Sequence, residues 1–164
     1  MRKIYNGRVH FFFSTIIFIS CLIPICYILM TMKINANRVY VSKSKVAHGY
    51  GVFASREIPR GDIVEECPAI VLPIVELPLI RKTKLHYYFF EYTAKEFMVA
   101  LGYGSLYNHS YTPNAQYRFD YRNKILRIRA LTSIKKDEEI FFNYNYYSDD
   151  RTPLEDWYKV GVDS

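Results

Sequence analysis

Residues 101–117 read LGYGSLYNHSYTPNAQY, a polar knot set between an apolar run and an alternating pattern. Asn108-His109-Ser110, followed by Pro113-Asn114, is open to three readings. It is a metal or nucleophile site, a plain surface loop, or a buried chain crossing that shapes a cofactor pocket. Asn108 can both donate and accept hydrogen bonds, which suits a crossing where backbone groups must be satisfied away from water.

The metal and nucleophile readings need partners that the chain does not offer. His10, His48 and His86 provide no ligand-spaced partner for His109, and no Ser-His-Asp or Cys-His order can be picked out. Cys21 and Cys26 lie in an apolar N-terminal run and only Cys67 lies beyond it, so neither a disulfide framework nor a paired-cysteine zinc site is expected. His109 is read as structural, and no metal is expected.

Working outward, Gln116 to Tyr121 alternates, with Tyr117, Phe119 and Tyr121 on one face. Leu126 to Ala130 does the same, and Arg122-Asn123-Lys124 between them completes a predicted β-hairpin. Upstream, Val39 to Ser42 is a short strand, and Gly49-Tyr50-Gly51 is a turn running into a second. Pro59 and Gly61 mark a turn feeding a strand at Ile63 to Cys67, and IKKDEEIFFNY repeats that turn with Asp137 in the place of Gly61. Between Pro78 and Leu101 the spacing is irregular without glycine or proline, and one or two short helices are predicted. The expected fold is a mostly β domain with short helices, in the α+β class.

Phe11 to Met30, FFFSTIIFISCLIPICYILM, is twenty residues without a formal charge. At about 1.5 Å per residue it spans roughly the 30 Å hydrocarbon core. It predicts one N-terminal transmembrane helix within residues 11–32, behind a basic segment 1–10. A cleaved signal peptide is the rival, and so is translation from Met32, which would leave the domain soluble or nuclear. Arg2, Lys3 and Arg8 precede the segment and Lys33, Arg38, Lys43 and Lys45 follow it, leaving only a lean toward a cytoplasmic or nuclear-facing domain. The chain carries a net charge of +6, but beyond residue 32 the balance is 19 basic to 16 acidic side chains, too mild for a DNA-tracking surface. No direct nucleic-acid partner is expected.

Gly49-x-Gly51 brings backbone close to a ligand or simply turns a hairpin, and without the longer glycine pattern it excludes a Rossmann site. Tyrosine is the other anomaly, with sixteen in 164 residues. Tyr50, Tyr88, Tyr107 and Tyr144 fall in or near these motifs.

Taken together, GYGVFA at 49–54, NHS with Pro113-Asn114, and EEIFFNY at 138–144 resemble, in order and spacing, the signature blocks of the SET-domain protein-lysine methyltransferases. The similarity spans about 39–147 and looks closest to the compact viral type without zinc-binding modules, through GDIVEEC and ALGYGSLYNHS. The resemblance implies a SET-type β-fold with a C-terminal pseudoknot, where the Asn-His-Ser segment and the last strand cross to build an S-adenosylmethionine pocket. It implies lysine methylation, with histone tails as the favoured substrate and a homodimer as a possible assembly. Carried onto this chain, Gly49, Tyr50, Gly51, Asn108, His109 and Tyr144 bind the cofactor. Tyr144 is the catalytic tyrosine, and Tyr50, Tyr88, Leu106, Tyr107 and Tyr147 line the lysine channel.

Two departures accompany the resemblance. Asn145 stands where the family commonly has glycine, which motivates a rival reading as a catalytically silent, membrane-tethered module that binds a peptide; asparagine tolerates positive φ. The cysteine-rich segment that closes the channel in many relatives is missing, and the tail 148–164, with Trp157 and Tyr158, is a candidate lid. Residues 33–38 are read as a linker.

Overall fold

The longest strand, IVEECPAIVLP at Ile63–Pro73 (β3), is rich in branched apolar residues and serves two partners in turn. The computed structural model describes residues 38–47 and 49–154. The predicted anchor 11–32, most of the linker, and Trp157 and Tyr158 lie outside the described residues. Arg38, read as linker, is fastened to the domain: its guanidinium donates to Asp62 at 3.0 Å and to the Ile63 carbonyl at 2.9 Å.

β1 (Val39–Lys43) and β2 (Tyr50–Ala54) form an antiparallel pair. After β3 come a 3-10 turn at Ile74–Glu76, a single helical turn α1 (Leu77–Ile80) and a second 3-10 turn at Lys84–Tyr87. Next are β4 (Phe89–Thr93), β5 (Glu96–Ala100), β6 (Asn108–His109), β7 (Ala115–Asp120), β8 (Ile125–Ala130) and β9 (Phe141–Phe142). A five-stranded sheet runs in the order β4-β5-β3-β8-β7, with every neighbouring pair antiparallel.

The first half of β3 pairs with β8 as far as Pro68, and the second half pairs with β5 from Ala69 onward. Proline cannot donate to a ladder. It is accommodated here because it sits where one partner is exchanged for the other, its carbonyl still accepting from Leu101 N at 2.8 Å.

The predicted β7–β8 hairpin forms with its turn at residues 121–124, and Tyr117 is buried as its alternation requires. The two similar turns meet: Ile58 and Ile134 exchange backbone bonds at 2.9 Å, and Gly61 and Asp137 share a left-handed backbone, at φ 87° and 62°.

The helical reading of 78–101 holds only as far as Tyr87. Phe89–Ala100 is a β-hairpin closed by Ala94-Lys95, in which Phe90 pairs with Met98 and buries against Tyr117, Phe119 and Phe142. Its turn lacks the glycine, asparagine or proline that usually announces one, and aromatic packing against β7 overrides the local signal. Among the described residues no helix is long and apolar enough to cross a membrane.

Candidate functional site

The knot at 108–114 is drawn together with the C-terminal motif by side-chain amides. β6 and β9 pair in parallel, Asn108 opposite Phe141 and His109 opposite Phe142, which sets the two segments of the expected crossing side by side. The Asn108 amide donates to the Tyr50 carbonyl at 3.1 Å and to Glu139 at 2.8 Å. Asn114 donates to Glu138 and to the Glu139 carbonyl, and accepts from Phe141 N at 2.8 Å. Glu139, only 8% exposed, also accepts from Ser44 Oγ at 3.0 Å. One carboxylate thus ties the β1–β2 loop to the knot through bonds of the stronger, charge-assisted kind.

The glycines divide their work. Gly49 has φ 107° and open space around the place a Cβ would take. Gly51 has the opposite surroundings, since a Cβ there would collide with the Glu139 carboxylate and lie 2.9 Å from the Asn108 amide nitrogen.

Tyr144 is held at three atoms. Its N–H donates to His109 Nδ1 at 3.1 Å, its carbonyl accepts from the Tyr117 hydroxyl at 3.3 Å, and its own hydroxyl donates to the Tyr107 carbonyl at 2.9 Å. Burial lowers the His109 pKa, favouring the neutral ring; with Nδ1 accepting, its proton sits on Nε2. No group of three or more metal-capable side chains occurs among the described residues.

An open cleft of about 790 Å³ meets this tyrosine, and Tyr88, Tyr107, Phe142, Tyr144 and Tyr147 are among its walls. Ser105 Oγ donates to the Tyr88 carbonyl at 2.9 Å and fixes that wall to the glycine turn. Of the residues expected around the channel, Tyr88, Tyr107 and Tyr147 line the cleft. Leu106 and Tyr50 do not: Leu106 packs against the core, and Tyr50 is 63% exposed at the start of β2. Gly49, Gly51, Asn108 and His109 are not among the residues that line the cleft.

The tolerance of asparagine for positive φ is not used at Asn145; the left-handed residue is Tyr146, at φ 73°. Its ring repays that strain by stacking on Phe119 and by receiving the Arg118 guanidinium 4.7 Å from its centroid. The Asn145 side chain donates to the Thr152 carbonyl at 2.7 Å, Asn143 donates to Asp150, and the Tyr111 hydroxyl both donates to Thr152 and accepts from Leu154 N. Thr152, Pro153 and Leu154 are thereby fixed as cleft wall.

No site role was read from sequence for Glu139, Asn114 or Tyr111, although Glu139 and Asn114 fall within the quoted motifs. A signal was present for the first, since a second acidic residue directly before the apolar Ile140-Phe141-Phe142 is placed to be drawn inward.

Fitness for the implied cofactor can be judged on this donor set. The Asn108 amide is spent on Tyr50 and Glu139, so ligand contacts there fall to main chain, and the space beside Gly49 leaves that backbone approachable. Both features fit S-adenosylmethionine as the resemblance disposes it.

Comparison with known proteins agrees with this geometry. Residues 49–145 match the family profile of the SET domain. The chain is 32% identical over 97 residues to the Schizosaccharomyces pombe histone-lysine N-methyltransferase, H3 lysine-37 specific, covering 58% of this chain and 66% of that protein, just under two thirds of its length. A crystal structure of a candidate histone methyltransferase from Plasmodium falciparum superposes with a TM-score of 0.56 at 31% identity, covering 68% of this chain and 96% of the other. The Chaetomium thermophilum Polycomb Repressive Complex 2, in an autoinhibited conformation bound to S-adenosylmethionine, gives a TM-score of 0.58 at 25% identity. That match covers 66% of this chain and 15% of the other.

Proposed function

The chain belongs to the SET-domain family, and we propose that it is an S-adenosylmethionine-dependent protein-lysine N-methyltransferase acting on histone tails. The observation that carries this reading is the Tyr144 hydroxyl, held 2.9 Å from the Tyr107 carbonyl where an aromatic cleft meets the β6–β9 crossing. The named activity of the Schizosaccharomyces pombe relative supports histone as the substrate class.

When bound, the cofactor supplies an electrophilic methyl group on a sulfonium. Gly49 to Gly51, Asn108 and His109 are the residues that would hold it. The chain's own task is to present a neutral amine in line with that group, which calls for orientation and desolvation more than for a base. Aromatic walls of the cleft, Tyr88 and Tyr147 among them, confine the lysine stem, and exclusion of water lowers an amine's pKa. Tyr144 Oη orients the amine, and carbonyls beside it, that of Tyr107 foremost, offer weak CH···O contacts to a polarised methyl. The faces of the Tyr88 and Tyr147 rings suit a cationic, methylated product.

The purified chain, incubated with radiolabelled S-adenosylmethionine and core histones beside a Tyr144→Phe variant, tests the proposal. Label in a histone band that falls about a hundredfold in the variant is the expected result for loss of an orienting group. Cofactor binding without label would redirect the substrate to another protein. Absence of binding would favour the silent peptide-binding module instead. Anchoring through residues 11–32, with the domain facing cytoplasm or nucleus, stays part of the proposal, and alkaline-carbonate extraction of the full chain from membranes tests it.

A further inference from the structure

Glu65 lies in the core of the large sheet, 4% exposed, and among the described residues no cation pairs with it. A strand alternates its faces, yet Val64 and Glu65 are both buried. The β3–β8 register explains this: it shifts between Ile63 and Glu65, and such a bulge re-aims one side chain inward. A buried carboxylate is costly unless its oxygens are satisfied, and here both are. Oε1 accepts from Tyr103 N at 3.0 Å and Oε2 from the Tyr107 hydroxyl at 2.8 Å.

The turn carrying those two donors is shaped around the same group. Gly102 has φ 67°, and a Cβ there would lie 2.7 Å from Glu65 Oε1. A Cβ at Gly104 would lie 2.8 Å from Cys67 Sγ, which itself borders Glu65. Gly104 thus makes room for the neighbouring Cys67, while the bulge and Gly102 converge on one carboxylate. Its outgoing connection is Tyr107, whose phenol is kept protonated by burial and by the charge of Glu65. The carbonyl of that same residue receives the Tyr144 hydroxyl.

We propose that Glu65 is a positioning residue for methyl transfer, gripping the Tyr107 side chain from inside the core so that the Tyr107 carbonyl holds the Tyr144 hydroxyl in register. The proposal rests on the reading of Tyr144 given above. Glu65 touches neither substrate nor cofactor; it acts two bonds of a hydrogen-bonded chain away, and Tyr107 carries the effect.

Glu65→Leu would also strip Tyr103 N of its acceptor, so the link is better cut from its other end. Tyr107→Phe removes one hydroxyl and keeps the ring and the carbonyl. It is expected to lower kcat about tenfold, because small misplacements of reacting groups weigh heavily, while KM for S-adenosylmethionine stays within about twofold. Glu65→Gln keeps an acceptor for Tyr103 N and offers its amide to the Tyr107 oxygen, so it retains most of kcat. In a Tyr144→Phe background, Tyr107→Phe is expected to change kcat by less than about twofold, since the group it positions is already gone. An equal loss in both backgrounds would overturn the proposal, because a purely structural role acts regardless of residue 144.

A second measurement does not depend on turnover. With 3-fluorotyrosine placed at position 144 of the full chain, Tyr107→Phe is expected to displace the fluorine resonance and Glu65→Gln to leave it near its original place. An unmoved resonance in Tyr107→Phe would overturn the proposal whatever the activity. A chain that labels no histone, with the resonance displaced as expected, would sink the histone reading and leave the positioning link standing.

Discussion

The Glu139 carboxylate occupies the space that a Cβ on Gly51 would need. Glu139 is also bonded to Asn108 and Ser44, so it has little freedom to retreat. Gly51→Ala should therefore destabilise the domain by about 1–3 kcal/mol, the usual range for overpacking. Gly49→Ala should cost about as much through its φ of 107° alone, with no collision. The two are told apart by adding Glu139→Ala: urea midpoints should show non-additivity of more than about 0.5 kcal/mol with Gly51→Ala and additivity with Gly49→Ala. Additivity in both pairs would mean that Gly51 does not answer to Glu139.

Restoring the family's glycine after Tyr144 should not help this chain. Asn145 has no positive φ to relieve, and its side chain holds Thr152 at 2.7 Å. Asn145→Gly is expected to lose about 1 kcal/mol, one hydrogen bond plus the entropy of a glycine. It should also make residues 148–154 more sensitive to limited proteolysis. Histone labelling that rises in the variant would show that the asparagine restrains activity.

How far the sequence could be read follows from where its signals are local. The β7–β8 hairpin was legible because Tyr117, Phe119 and Tyr121 alternate strictly and a polar triplet separates the strands. The β4–β5 hairpin was not, because Ala94-Lys95 is silent as a turn and the strand identity of Phe89 to Ala100 is decided by rings on β7 and β9. Tyr107 and Tyr144 fall within ordered motifs, and motif order survives folding, whereas Tyr88 and Tyr147 came only with the family resemblance; all four line one cleft. Tyr50 and Leu106 belong to the same motifs, yet side-chain direction separates them from the cleft. Glu65 was invisible for a further reason: a bulge decides which of two adjacent acids turns inward, and register is a property of strand pairs.

Cys67 provides a probe of the Glu65 turn. Burial, then the charge of Glu65, pushes its thiol well above the usual range, and the thiolate is the reactive form. It should resist iodoacetamide in the folded chain and react once the turn opens, with peptide mapping distinguishing it from Cys21 and Cys26. Gly104→Ala, which crowds Cys67 Sγ, should speed that alkylation at unchanged pH. Equal rates in folded and urea-unfolded protein would contradict the packing described for this turn.

His109 predicts the pH response of the crossing. Its folded-state pKa is lowered by burial, so between that value and the unfolded value of about 6.5 the unfolded chain binds the extra proton. Stability conferred by the neutral ring is therefore fully present above about pH 6.5 and is lost as pH falls through the folded-state pKa. Protonation also removes the acceptor for Tyr144 N, so loosening begins at Tyr144. His109→Asn keeps an acceptor near the position of Nδ1 but cannot titrate. Between pH 7.5 and 5.5, urea unfolding of the natural chain should weaken more than that of the variant. The shift of Asp120, already low through its bonds to Asn123, belongs to more acidic conditions and does not confuse the comparison. Parallel pH curves for the two proteins would remove His109 from any role in coupling pH to the β6–β9 crossing.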